Sequence, residues 1–273
     1  MPCSFPLTPP ESMETRFNNK EHAQLLELLL DITVQLISAG AHTEKAIRIA
    51  QRIAQAYKYE ADMIILPKSI SISLSRKERR HVRLTAVRKT IPLVLNSTFN
   101  HQMSALSWRA YDEHLPLEEV QQHFLHMLAL PHINFMLVLC MVACANASFC
   151  FLFGGDVIAM TLVFCGTASG FWLRRQLMHK HIHHYFALIL AAFVASLISG
   201  LGSLLGFGST PSVALATSVL FLIPGVPLLN ALIDILEGHV INGIASFVSS
   251  CTMIACLALG LLCTLFVLGV ENL

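Results

Sequence analysis

The chain has 273 residues, of which 55% are hydrophobic and 13% charged, with a formal net charge of +1 and a mean hydropathy of +0.63. Soluble domains carry about a quarter charged residues, so a chain that is water-soluble throughout is excluded. The charge is unevenly spread: 15 of the 18 Lys and Arg precede residue 132, so the leading half is compatible with water and the trailing half is not.

Residues 1–19 begin MPCSFPLTPPES, without the basic start and apolar core of a signal peptide, and read as a disordered tail. A helix is expected over 20–39, where Ala23, Leu26, Leu30, Val34 and Ile37 recur at helical spacing and Gly40 supplies the stop. A second is expected over 43–57, with Thr43 as its cap and Ile47, Ala50, Ile53, Ala54 and Tyr57 on one face. The period then changes to two. Ile70, Ile72 and Leu74 alternate with serines, Val82, Leu84 and Ala86 alternate with polar residues, and SRKERR between them predicts a hairpin. Residues 64–66 add a third strand, and helices follow over 97–111 and 117–130. Residues 20–130 therefore read as a small α+β domain. It is expected to be cytoplasmic, because no apolar span precedes it. The basic run Arg76, Lys77, Arg79, Arg80, Arg83, Arg88 and Lys89 has no interleaved aromatic residues. It reads as a solvated hairpin near anionic membrane lipids rather than as a nucleic-acid surface.

From residue 131 to 273 the chain reads as a transmembrane domain, with five spans over about 133–153, 157–173, 185–205, 212–236 and 241–270. Arg174, Arg175 and Lys180 place the loop between the second and third spans in the cytoplasm by the positive-inside rule. A multi-pass membrane protein with its C-terminus on the outer side follows. Small residues recur four apart (Gly166 and Gly170, Ser196 and Gly200, Gly202 and Gly206, Ser246 and Ser250), as close helix approach in lipid requires. Seven of the eight cysteines fall in this half without metal-ligand spacing and read as packing residues. The His179–His184 loop reads as an interfacial rim, and no metal or other cofactor is expected. Asn146 lies within the first span, where it either bonds a neighbouring helix or lines a pathway.

The fourth span contains FLIPGVPLLNALIDILEGH. Pro224 and Pro227 lack N–H groups, so an unbroken helix would strand the carbonyls of Leu220 and Ile223. Gly225 between them permits an unusual backbone angle. A break is therefore expected at Pro224–Pro227, with Pro227 in the first turn of a new half-helix. Breaks at membrane depth persist where the backbone is buried in protein or lines a wet cavity, and transporters place substrate there. Asn230, Asp234 and Glu237 share one face of the new half-helix. An ionised aspartate at mid-membrane costs about 2.5–3.5 kcal/mol, so Asp234 should face protein or water, as an anchor or a proton carrier. Gly238 and His239 close the stretch, His239 near the cytoplasmic mouth. Asn146, Asn242 and Glu237 are secondary members of the expected site.

Pro224, Gly225, Pro227, Leu228, Leu229, Asn230, Asp234, Gly238 and His239, as P-G-x-P-L-L-N-x-x-x-D-x-x-x-G-H, resemble the signature of the threonine/serine exporter (ThrE) family, as does Gly40–Ala41 at the end of the first helix. The resemblance covers the chain from about Lys20. With five spans, the chain resembles the split, YjjP-type form, which works with a separate small YjjB-type membrane protein. The resemblance implies export of small carboxylates: threonine and serine in founding members, succinate in split ones. Many members carry an arginine shortly after the glycine equivalent to Gly243, and Ser246 stands there instead. The rival readings are a non-transporting regulatory or scaffold subunit and a membrane-embedded hydrolase. A homo-oligomer is an alternative assembly.

Overall fold

The computed structural model describes residues 13–76, 79–130, 133–206 and 208–269. Residues 1–12 of the tail expected over 1–19, Lys77 of the basic run and the C-terminus from residue 270 lie outside them, while residues 13–19, expected in that tail, are helical and continue into the first helix. Contacts divide the chain into two compact units. The first takes in the chain to Leu130 together with Leu229–Ser246, and the second takes in Pro131–Leu228 and Phe247–Leu273.

The first unit opens with α1 (Met13–Ser38), α2 (Thr43–Ala56) and three strands, β1 (Tyr59–Leu66), β2 (Ser69–Arg76) and β3 (Arg79–Lys89). The strands pair antiparallel in chain order, with Ile65 opposite Ile70 and Ile72 opposite Ala86. The alternation seen in the sequence has a direct cause: Ile70, Ile72 and Leu74 are fully buried, while the serines between them are not all needed by the core. Helices α3 (Ser97–Asp112) and α4 (Leu117–Ala129) complete the layer. The core joins Leu25, Leu29 and Ile32 of α1 with Ile49 and Ile53 of α2, the buried face of β2, and Met103 and Phe124.

Gly40 ends α1 by a Schellman turn. Its φ is +88°, its N–H donates to the Ile37 carbonyl, and the Ala41 N–H donates to the Leu36 carbonyl. The turn reverses the chain and leaves the start of α2 beside the end of α1.

The second unit contains α5 (Phe135–Leu152), α6 (Val157–His179), α7 (His184–Leu205), α8 (Pro211–Thr217) and a 3-10 turn at Leu220–Leu222. Then come α9 (Gly225–Leu236) and α10 (Val240–Leu268), each shared between the two units. Among the described residues four helices are long and apolar enough to cross a membrane: Phe135–Leu152, Val157–His179, His184–Gly202 and Val240–Leu268. The pair Pro211–Leu222 and Gly225–Leu236, bent by 60°, makes a fifth if it counts as one span.

Of the small-residue pairs expected from four-residue spacing, Gly166 and Gly170 lie against a neighbouring backbone, whereas Gly206 has no neighbour near enough for close approach. A methyl group on Gly166 would fall 2.5 Å from the Ala195 carbonyl oxygen, and one on Gly170 would fall 2.8 Å from that of Ala191. These distances let α6 and α7 touch backbone to backbone. Asp156 caps α6 by accepting from the Ala159 N–H at 2.8 Å, and also accepts from the Ser209 N–H at 2.8 Å. Those backbone donors hold its carboxyl below the usual carboxylate range. The cysteines divide. Cys150 and Cys256 are buried, but Cys140, Cys144, Cys165, Cys251 and Cys263 are exposed, so most of the expected packing cysteines do not pack within the described chain.

Candidate functional site

The first turn of a helix has four backbone N–H groups without intrahelical partners. In α2 the N-cap residue is His42, whose side chain makes no cap bond. Thr43, expected from its residue type to be the cap, is the first helical residue and donates instead. Its N–H donates to Asp234 Oδ1 at 2.8 Å and its hydroxyl to Asp234 Oδ2 at 3.0 Å. Asp234, only 5% exposed, thus serves as the N-terminal anion of a helix 191 residues away in sequence. A carboxylate there meets orphan donors and the positive end of the helix dipole together.

The rest of the polar face of α9 joins the same turn. Asn230, four residues before Asp234, donates its amide to the Gly40 carbonyl at 2.8 Å. That bond goes to the end of α1 and not to the break at Pro224. Asn242, in the first turn of α10, donates to the Thr43 hydroxyl at 3.2 Å and to the Ile65 carbonyl at 2.8 Å, while its own Oδ1 is buried without a partner. Around this buried centre lie part-exposed polar contacts. His239 Nε2 is 3.1 Å from Glu44 Oε2, and the Glu237 carboxylate is 3.6 Å from both His42 Nε2 and Arg48 Nη2.

Gly238 brings α9 and α10 into position with a second Schellman turn: φ +90°, its N–H on the Ile235 carbonyl, and the His239 N–H on the Asp234 carbonyl at 2.7 Å. Gly243 keeps the two helices close, since a methyl group there would fall 2.8 Å from the Ala231 carbonyl oxygen.

The break at Pro224 takes a form the sequence did not predict. Gly225 opens α9 and is not among the glycines of positive φ. The carbonyls expected to be stranded have local partners: Leu220 accepts from the Ile223 N–H at 3.2 Å, and Ile223 from the Gly225 N–H at 2.8 Å. A 3-10 turn followed by a tight turn satisfies the backbone that the prolines would otherwise have left open. Pro227 lies in the first turn of α9, as expected. Asn146 belongs to a different cluster, donating to the Thr167 hydroxyl at 2.7 Å and the Thr217 carbonyl at 3.2 Å.

The structure thus gathers Asn230, Asp234, Glu237, Gly238, His239 and Asn242 in one place, and leaves Pro224, Gly225, Pro227 and Asn146 outside it. Sequence reasoning missed His42, Thr43, Glu44 and Arg48 as their partners. The one available signal was a helix start, Gly-Ala-His-Thr-Glu, whose residue before the first turn is a weak cap.

A family model described as "Putative threonine/serine exporter" matches residues 27–268. The chain is 26% identical over 252 residues to "Probable succinate transporter subunit YjjP" of Klebsiella aerogenes, covering 91% of this chain and 96% of that one. It is 25% identical over 254 residues to the protein of the same description from Escherichia coli K12, covering 93% and 98% respectively. No solved structure matches.

Proposed function

The chain belongs to the threonine/serine exporter family, and from that premise we propose that it is one subunit of a bacterial inner-membrane exporter of small carboxylates. Membership of a transporter family argues against an enzyme. The match over residues 27–268 carries this reading, because it includes both units and the whole proline-to-histidine stretch. The substrate we assign is succinate or a threonine/serine-like amino acid, the first from the names of the two relatives and the second from the family description. The word "subunit" in those names supports a second membrane component, which we assign as a small YjjB-type protein. The N-terminal α+β region is cytoplasmic and the C-terminus periplasmic, following the basic residues at 174–180.

Within this reading the break at Pro224–Pro227 is where α9 tilts during alternating access. Asn230 holds α9 to the turn between α1 and α2, Asp234 holds it to the first residue of α2, and His239, just after α9, reaches Glu44 of α2, so motion of that turn moves α9. Asp234 acts as an anchor: both its oxygens are engaged by Thr43, which leaves it poorly placed to exchange a proton with each side in turn. The test is accumulation of labelled succinate, threonine and serine in inverted vesicles that carry this chain with and without the partner. Accumulation of unaltered substrate, dependent on both proteins, is expected. A chemically changed substrate, or transport by the partner alone, overturns the reading.

A further inference from the structure

The first unit carries an apolar surface at one end of its sheet. Ile64 is 64% and Val94 63% exposed, and Leu66, Leu93 and Leu95 are exposed beside them. Hydrogen bonds tie these residues into one surface. Thr90, after β3, donates its N–H to the Lys68 carbonyl and its hydroxyl to the Pro67 carbonyl, each at 3.2 Å, so the β1–β2 turn meets the end of β3. The connector after Thr90 then runs along the end of α1. Val94 N–H donates to the Ser38 carbonyl at 2.8 Å, Asn96 N–H donates to the Ala39 carbonyl at 3.1 Å, and Leu95 lies over Gly40. Gly40 in turn accepts from Asn230, and Ile65 from Asn242, so the surface borders α9 and the start of α10. There Leu229, Leu232 and Ile241 are exposed as well.

Two observations identify what covers it. The first is the length of α10. Its 29 residues span about 43 Å, and about 41 Å along the membrane normal at an average tilt, against a hydrocarbon core of about 30 Å. Such a helix leaves part of itself in the interfacial layer, and Val240–Ser246 is the part that belongs to the first unit. The second is charge. Residues 63–76 and 84–111 contain no Asp or Glu, and Lys68 and Lys89 lie exposed at this end of the sheet. Apolar side chains rimmed by lysines, at the point where a candidate span enters the unit, match an anionic bilayer interface.

We propose that the first unit docks on the bilayer surface through this end, with Leu93, Val94 and Leu95 inserted below the headgroups and Lys68 and Lys89 among them. Arg76 and Arg79 lie at the other end of β2 and β3, so this docking sets the basic run away from the bilayer, contrary to the expectation that placed it near anionic lipids. The proposal does not depend on which solute is exported.

The test uses the full chain in vesicles of phosphatidylglycerol and phosphatidylethanolamine with Trp108→Phe and Trp172→Phe. Single reporters Leu93→Trp and Val94→Trp, both at exposed positions, are compared with Arg83→Trp, about 20 Å along β3 toward the hairpin. Acyl-chain-brominated lipid is expected to quench both connector reporters roughly twofold or more and to leave Arg83→Trp nearly unchanged. Lys68→Glu with Lys89→Glu is expected to weaken that quenching in anionic but not in zwitterionic vesicles. Quenching of Arg83→Trp alone, or of no reporter, overturns the proposal. So does quenching that disappears when the small partner protein is co-reconstituted, since the surface would then belong to that protein.

Discussion

Asp234 and Asn146 are both buried polar residues in stretches that read as membrane-spanning, and the two units satisfy them by different means. Asp234 is held by a helix start: a backbone N–H and a hydroxyl from Thr43, with the dipole of α2 behind them. Asn146 is held by neutral partners on two other helices, a threonine hydroxyl and a carbonyl. The first unit thus meets its buried carboxylate with a helix end, while the second meets its buried amide with a hydroxyl and a carbonyl and keeps its own helix-end carboxylate, Asp156, only half-buried at the cap of α6. A carboxylate is far costlier to bury than an amide, and among the described residues the buried one, Asp234, meets a helix terminus.

The comparison is broken most severely at Asp234. Asp234→Ala leaves the Thr43 N–H and hydroxyl buried without acceptors and is expected to cost about 3 kcal/mol, from two bonds to a charged group. Asp234→Asn keeps one acceptor and should cost about half of that. Thermal unfolding in detergent measures both. If Asp234 is an anchor, export by the Asn variant follows its stability; complete loss of export in a chain of normal stability would make Asp234 a proton carrier instead.

Gly166→Ala probes the second unit in the same way. Its methyl would meet the Ala195 carbonyl at 2.5 Å and the Ser199 hydroxyl at 2.6 Å, forcing α6 and α7 apart at a cost of about 2 kcal/mol. An unchanged melting temperature would refute the close approach. Asn146→Ala should cost less, about 1 kcal/mol, since hydrogen bonds between membrane helices are individually weak. A loss as large as that of Asp234→Ala would erase the distinction drawn between the units.

The smallest effect is a pH dependence confined to the first unit. His22 is 5% exposed and lies against Tyr59, and burial, with a further contribution from the Arg76 charge, lowers its pKa below the usual value. The unfolded chain therefore binds a proton more readily than the folded one. Stability is full above the ordinary histidine range and falls as pH drops below about 6.5. His22→Gln should flatten the stability profile between pH 7 and 5. A profile unchanged by the substitution would exclude His22 as its source.

Local pattern was enough to reveal the three-stranded sheet, most of the helices and the interrupted stretch at Pro224, although α1 starts at Met13 inside the expected tail and α6 runs on to His179 through Arg174 and Arg175, which were expected in a loop. Each is written in neighbouring residues: a period of two in Ile70–Leu74, a glycine stop at Gly40, two imino acids three apart. Even there, the sequence overstated the openness of the break, because it showed which N–H groups are missing and not which others turn back to replace them. Long-range pairing left almost no trace. Nothing near Thr43 announces that its cap arrives from Asp234, and nothing near Asp234 says that it will meet a helix start instead of solvent or substrate. Periodicity fixes which face of a helix is polar, since that depends on 3.6 residues per turn. What that face meets depends on how the chain is folded back on itself, and only the tertiary structure decides it.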